Sequence, residues 1–359
     1  MIDKDFVPHS YSNSIESGSF TWSAPSNIAL VKYWGKKKHQ IPENPSISFT
    51  LDNCKTITKV SFSRRERNNN FSFEVFLDDE LKEDFKPKIE TFFERVEAYL
   101  PFLKNYHFKI ETSNTFPHSS GIASSASGMS ALALCLMSIE KKLSPIISET
   151  EFIKKASFLA RLGSGSACRS LEGDLVVWGV HETIEGSSDL FGVKYPYGVH
   201  ENFKNYQDTI LLVDKGEKQV SSTVGHNLMH GHPFARERFT QANKNLGDIV
   251  DILKRGNLDA FIALVESEAL TLHAMMMTSM PYFILMKPNT LEIINKIWSY
   301  RKRTNSKVCF TLDAGANVHV LYPNKEATSV LEFIKNELVA YCQNGQYICD
   351  QIGMGAKKL

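Results

Sequence analysis

Residues 117–128 read Pro117-His118-Ser119-Ser120-Gly121-Ile122-Ala123-Ser124-Ser125-Ala126-Ser127-Gly128, and an apolar run continues from there to Ile139. Small side chains let a backbone close tightly on an anion, and a helix start offers unpaired N–H donors and the positive end of its dipole. The stretch predicts a phosphate-holding turn at the head of a long apolar helix over 125–139. For an isolated Ser/Gly turn, a plain helix cap is the better reading by roughly 3 to 1. The turn is neither GxxxxGK[ST] nor GxGxxG, so the nucleotide folds built on those loops lose support.

Outward from that helix, short alternating segments mix with helical ones. Strands are expected at 56–62, 71–76, 106–112, 209–213 and 308–312, and helices at 87–99, 151–162, 227–254 and 258–272. Pro87 suits a first helical turn, where its missing N–H costs nothing. Residues 64–70 are polar and read as the loop of a hairpin between the first two strands. Without a strict βαβ rhythm the class is α+β. At 359 residues the chain is long enough for two domains, with a boundary expected near 205/206 and no Pro/Gly/Ser-rich tether to mark it.

Composition excludes several functions. Hydrophobic residues are 42% and charged residues 23%, ordinary for a folded globular protein. A net charge of +1 provides no broad field for nucleic acid or an anionic membrane, so any anion site is local. The first ten residues carry Asp3 and Asp5 without an apolar core, and the small, apolar stretch 126–139 is too short to span a bilayer. A cytoplasmic protein is the expectation. Six cysteines, at 54, 135, 168, 309, 342 and 349, form no CxxC pair and read as free thiols.

Three further segments carry chemistry. Gly163-Ser164-Gly165-Ser166-Ala167-Cys168-Arg169-Ser170 follows a helix and ends in a guanidinium fork suited to a carboxylate or phosphate, although a surface loop with a salt-bridging Arg reads equally well. The stretch from Ser23 to Lys36 places Lys32 and Lys36 four apart beside Tyr33 and Trp34, aimed alike if the segment is helical. A wet helix face is the bland alternative, and Lys37 and Lys38 read as solvated charge. Asp313, in Cys309-Phe310-Thr311-Leu312-Asp313-Ala314-Gly315-Ala316-Asn317, sits at an apolar strand end, placed to orient or deprotonate a hydroxyl or merely to cap a turn. His226, His230 and His232 cluster without an evident carboxylate or thiolate partner, so loop or helix-face histidines are preferred to a zinc site. The run Met275 to Met277 reads as core filler.

Taken together, these segments resemble the superfamily of galactokinase, homoserine kinase, mevalonate kinase and phosphomevalonate kinase, and within it the diphosphomevalonate decarboxylases. The matching order runs from about residue 20 to Gly353-Met354-Gly355. The resemblance implies a ribosomal-protein-S5-like N-terminal domain over 1–205, a ferredoxin-like C-terminal domain over 206–359, and a cleft between them. It implies ATP-dependent decarboxylation of mevalonate 5-diphosphate to isopentenyl diphosphate, with magnesium carried by ATP, and a homodimer. Pro117, Ser119, Ser120, Gly121, Ala123, Ser124, Ser125 and Ser127 would hold ATP; Tyr33, Lys36, Ser164, Ser166, Arg169, Ser222 and Thr223 would line the substrate pocket; and Asp313, Lys32 and Arg169 would do the chemistry.

The sequence departs from that pattern at Pro45, where relatives usually carry a second serine, and at His226, where an apolar residue is expected; 273–281 keeps the family's histidine without its double proline. A decarboxylase of a monophosphate or bisphosphate, a kinase that stops at phosphorylation, and a non-catalytic ligand-binding paralogue are the alternatives.

Overall fold

The computed structural model describes residues 3–66, 68–117, 122–214 and 222–359, with nothing described of the side chains of 222 and 223. Among them the first half runs β1 (Ser17–Val31), β2 (Ser46–Arg64), β3 (Ser72–Leu77), β4 (Glu80–Leu81), α1 (Lys86–Val96), β5 (Tyr106–Asn114), α2 (Ser124–Leu143), α3 (Glu149–Gly163), β6 (Leu175–Trp178) and β7 (Val193–Lys194). The second half runs β8 (Gln207–Leu211), α4 (Ser222–Asn227), α5 (Ala235–Arg255), α6 (Leu258–Met277), α7 (Pro288–Thr304), β9 (Cys309–Thr311), β10 (Val318–Tyr322), α8 (Ala327–Phe333), β11 (Tyr347–Gln351) and β12 (Lys357–Lys358). The class is α+β.

The first sheet has the order β12-β1-β2-β5-β3-β4, with β6 and β7 beside the near end of β2. Alternation along β2 turns Val60 and Phe62 inward, where α2 and α3 cover them with Leu132, Leu136 and Phe158. Ser148 and Glu151 form a reciprocal capping box that starts α3. The hairpin expected at 64–70 is not formed. Strand β5 pairs with β2 on one side and with β3, in parallel, on the other. A parallel pair needs a crossover, and α1 supplies it.

The second sheet, β11-β8-β10-β9, is antiparallel throughout. Its core joins Phe310 and Val320 to Ile293 and Ile297 of α7 and Val330 of α8. A third cluster is shared by both sheets: Ile28, Phe49 and Leu51 pack with Ile210, Phe261 and Val265. Asp350 on β11 adds a polar latch, its carboxylate accepting from the main-chain N–H groups of Asp52, Asn53 and Cys54 at 2.9, 2.8 and 2.7 Å.

The helix expected over 227–254 is two, because Pro233 cannot donate and restricts the residue before it. Among the described residues one helix, α6, is long and apolar enough to cross a membrane, with 61% of its apolar window buried inside the protein. Cys349 is exposed and the other five cysteines are buried, all of them free.

Candidate active site

Strand β1 delivers Val31 and then ends, leaving Lys32 at the bottom of a cleft of about 420 Å³. Lys32 and Lys36 therefore do not share a helix face. Gly35, at φ +94°, turns the chain between them, a conformation L side chains rarely adopt. Lys32 Nζ lies 3.0 Å from Asp313 Oδ1, with the lysine side chain 2% exposed and the aspartate 31%. Burial lowers the Lys32 pKa, and the Asp313 carboxylate works against that.

Sequence reading missed what holds Lys32. Its N–H donates to Glu268 Oε2 at 2.8 Å, and its carbonyl accepts from Arg238 at 3.0 Å and from Asn44 at 2.9 Å. Arg238 and Glu268 are themselves a fully buried, two-pronged ion pair, at 2.8 and 2.5 Å, between α5 and α6. His273, on α6, donates Nε2–H to the Asp313 carbonyl at 3.1 Å, and burial pushes its pKa down to about 4. It is a neutral ring that fixes the aspartate's main chain. Arg238 and Glu268 lie within no motif, whereas His273 is the histidine that 273–281 keeps.

Across the cleft, α2 begins at Ala123, which sits in the left-handed region and places no side chain over the helix's first N–H groups. Among the described residues no side chain caps those N–H groups, which suits an anion. Ala123 and Ser125 line the cleft together with Ser164, Ser166, Tyr33, Lys36 and Arg169, and Ser125 Oγ is 3.4 Å from Ser164 Oγ. Lys88 on α1 lines it too and was not anticipated. Ser127 is not at the cleft: it is buried, 2.6 Å from Thr56 Oγ1. Ser124 is half-buried and Pro117 exposed, while Ser119, Ser120 and Gly121 lie outside the described residues, as do the side chains of Ser222 and Thr223.

Arg169 is buried against Trp178 and donates to Ser46 Oγ, and among the described residues its Nε–H has no partner. Burial acts against its charge, offset in part by Asp313. A guanidinium stays protonated in proteins, so its charge suits an anion entering the cleft that it lines. Tyr33 packs edge-on to Trp178 at 4.7 Å, and burial raises its pKa. Lys37 and Lys38 are exposed, as read from the sequence.

The three histidines have separate environments. His232 Nε2 is 3.1 Å from the Met275 carbonyl and its Nδ1 accepts from Phe234 N–H, His230 is exposed, and His226 faces the cleft. Among the described residues no three metal-ligating side chains are gathered. Met275 and Met276 are buried, as expected of core filler, whereas Met277 is 40% exposed.

Residues 24–189 match the model of a diphosphomevalonate decarboxylase-like N-terminal domain, and 209–355 that of a mevalonate 5-diphosphate decarboxylase C-terminal domain. The chain is 29% identical to the diphosphomevalonate decarboxylase of Ganoderma lucidum, covering 93% of this chain and 84% of that protein. It is 27% identical to that of Bos taurus, over 84% and 76%. Among solved structures, the mevalonate diphosphate decarboxylase of Enterococcus faecalis superposes with a TM-score of 0.79 at 28% identity, covering 95% and 98% of the two chains. A complex named as MDDEF with MVAPP, AMPPCP and magnesium gives 0.80 at 29% identity and the same coverage, and the Staphylococcus aureus enzyme 0.80 at 26%, covering 96% and 98%.

Proposed function

Since the chain belongs to the diphosphomevalonate decarboxylase family, we propose that it is an ATP- and magnesium-dependent decarboxylase turning mevalonate 5-diphosphate into isopentenyl diphosphate. The observation that carries this reading is the ion pair of buried Lys32 with half-buried Asp313, in one cleft with the Arg169 guanidinium.

The residues fit both substrates. The uncapped start of α2, with Ala123 and Ser125 beside it, suits the polyphosphate of ATP. When bound, ATP with its magnesium supplies the phosphoryl group that makes a tertiary hydroxyl a leaving group. Asp313 is held by Lys32 and, through its carbonyl, by His273, so its carboxylate is oriented to accept a hydrogen bond or the proton of the C3 hydroxyl. The Arg169 guanidinium, which lines the cleft, grips the substrate carboxylate in register. As the C3–O bond breaks, the C1–C2 electron pair closes the C2=C3 double bond, and the carboxyl carbon leaves as carbon dioxide. Buried walls around Lys32 and Arg169 keep water from the cationic centre.

A mass-resolved product assay with ATP, magnesium and mevalonate 5-diphosphate is the test. The expected result is ADP, phosphate and carbon dioxide in equal amounts. ADP without carbon dioxide would make the chain a kinase, and turnover confined to a monophosphate would reassign the substrate. We further propose a domain division near 205/206, a cytoplasmic location and a homodimer; sedimentation checks the last.

A further inference from the structure

Helix α4 reaches the cleft wall through a close approach. A Cβ on Gly225 would stand 2.7 Å from two ring carbons of Trp34, so only glycine lets the next residue, His226, settle onto the 33–35 turn. His226 is 8% exposed, with its ring centroid 4.3 Å from that of Tyr33 and 4.5 Å from that of Trp34. Its Nδ1 accepts the Gly35 N–H at 3.0 Å. That bond settles the tautomer, because a nitrogen that accepts carries no proton, and the ring proton is on Nε2. Among the described residues Nε2 has no hydrogen-bond partner, and it is not sealed from the surface of the cleft that the ring lines.

The charges nearby point the same way. Burial, then Lys36, then Arg169 push the His226 pKa down to about 3. A third cation in that corner would be repelled by the two already there. A neutral N–H instead adds a donor to an anion without adding repulsion.

Building on the substrate assignment above, we propose that His226 is a further substrate-binding residue, donating its Nε2–H to an oxygen of the diphosphate in the part of the cleft that Lys36 also lines. The same ring, through Gly35, fixes the turn from which Lys36 projects.

The purified protein with ATP, magnesium and mevalonate 5-diphosphate tests this with two variants. His226→Asn keeps an acceptor near the Nδ1 position and loses the distant donor; His226→Gln places an amide N–H₂ near Nε2. Removing one donor to a charged group should raise KM for the diphosphate ~10–100-fold in His226→Asn, with KM for ATP and the melting temperature near those of the unaltered chain. His226→Gln should recover part of the loss. Wild-type KM in His226→Asn would overturn the proposal, and so would equal weakening of ATP and diphosphate with lowered melting temperatures in both variants, which would make the ring packing only. If the unaltered chain does not decarboxylate mevalonate 5-diphosphate at all, it is the functional assignment that fails.

Discussion

Asp313→Asn keeps the size of the side chain and removes its charge and its ability to take a proton. General-base and orienting contributions of ~10²–10⁴-fold should leave kcat for carbon dioxide release, while ATP binding at α2 holds; near-normal turnover would remove Asp313 from the mechanism. Arg169→Lys replaces a fork that already touches Ser46 with a point charge. KM for the acid should rise, kcat should fall, or both, and wild-type steady-state kinetics would place Arg169 outside the site. His273 is neutral when folded, with a pKa near 4, against about 6.5 for a free histidine. Between those values the unfolded chain binds the extra proton. The ring's contribution to stability is therefore present above about pH 6.5 and lost as pH falls toward 4. Melting curves from pH 7 to 4 should steepen less in His273→Gln than in the unaltered chain, and equal slopes would show that His273 is not a source of acid lability.

At the level of elements, the clamp between α5 and α6 decides where β1 ends. Removing one member of the buried Arg238–Glu268 pair leaves an uncompensated charge and should cost ~3–5 kcal/mol. Arg238→Met with Glu268→Leu should recover much of that stability and still lack activity, because the Lys32 main chain then has only Asn44 to hold it. Full activity in the stable double variant would show that Lys32 needs no clamp. This division between near and far also explains what could be read in advance. Lys32, Arg169 and Asp313, which the resemblance named from short local strings, are brought to one cleft. Glu268 could not be read that way, because it acts 236 positions away on a main-chain N–H. The i, i+4 spacing of Lys32 and Lys36 aims the two alike only on a helix, and here β1 pairs with β2 as far as Val31↔Ile47 and Gly35 makes the turn. Likewise, polar residues 64–70 look like a hairpin loop because nothing local reveals that β5 will enter between the strands.

On the scale of the whole molecule, the two sheets are joined by the shared core around Phe49 and Phe261 and by the Asp350 latch. Asp350→Asn turns one accepting oxygen into a donor facing main-chain N–H groups, and should cost ~1–3 kcal/mol. A melting temperature equal to that of the unaltered chain would show that the latch contributes nothing. The chain's last strand makes a further join. Lys357–Lys358 pair with Trp22 and Ser23 of β1, so this part of the first strand's outer edge is covered by residues more than 300 positions later. During synthesis that edge waits for more than 300 residues, which at ~5–20 residues per second is on the order of tens of seconds. Over that interval a nascent chain carries an unpaired strand edge with exposed backbone donors and acceptors. Vectorial folding cannot finish the N-terminal sheet on its own, and that edge stays open to chaperones and to neighbouring chains until residues 357–358 have been made.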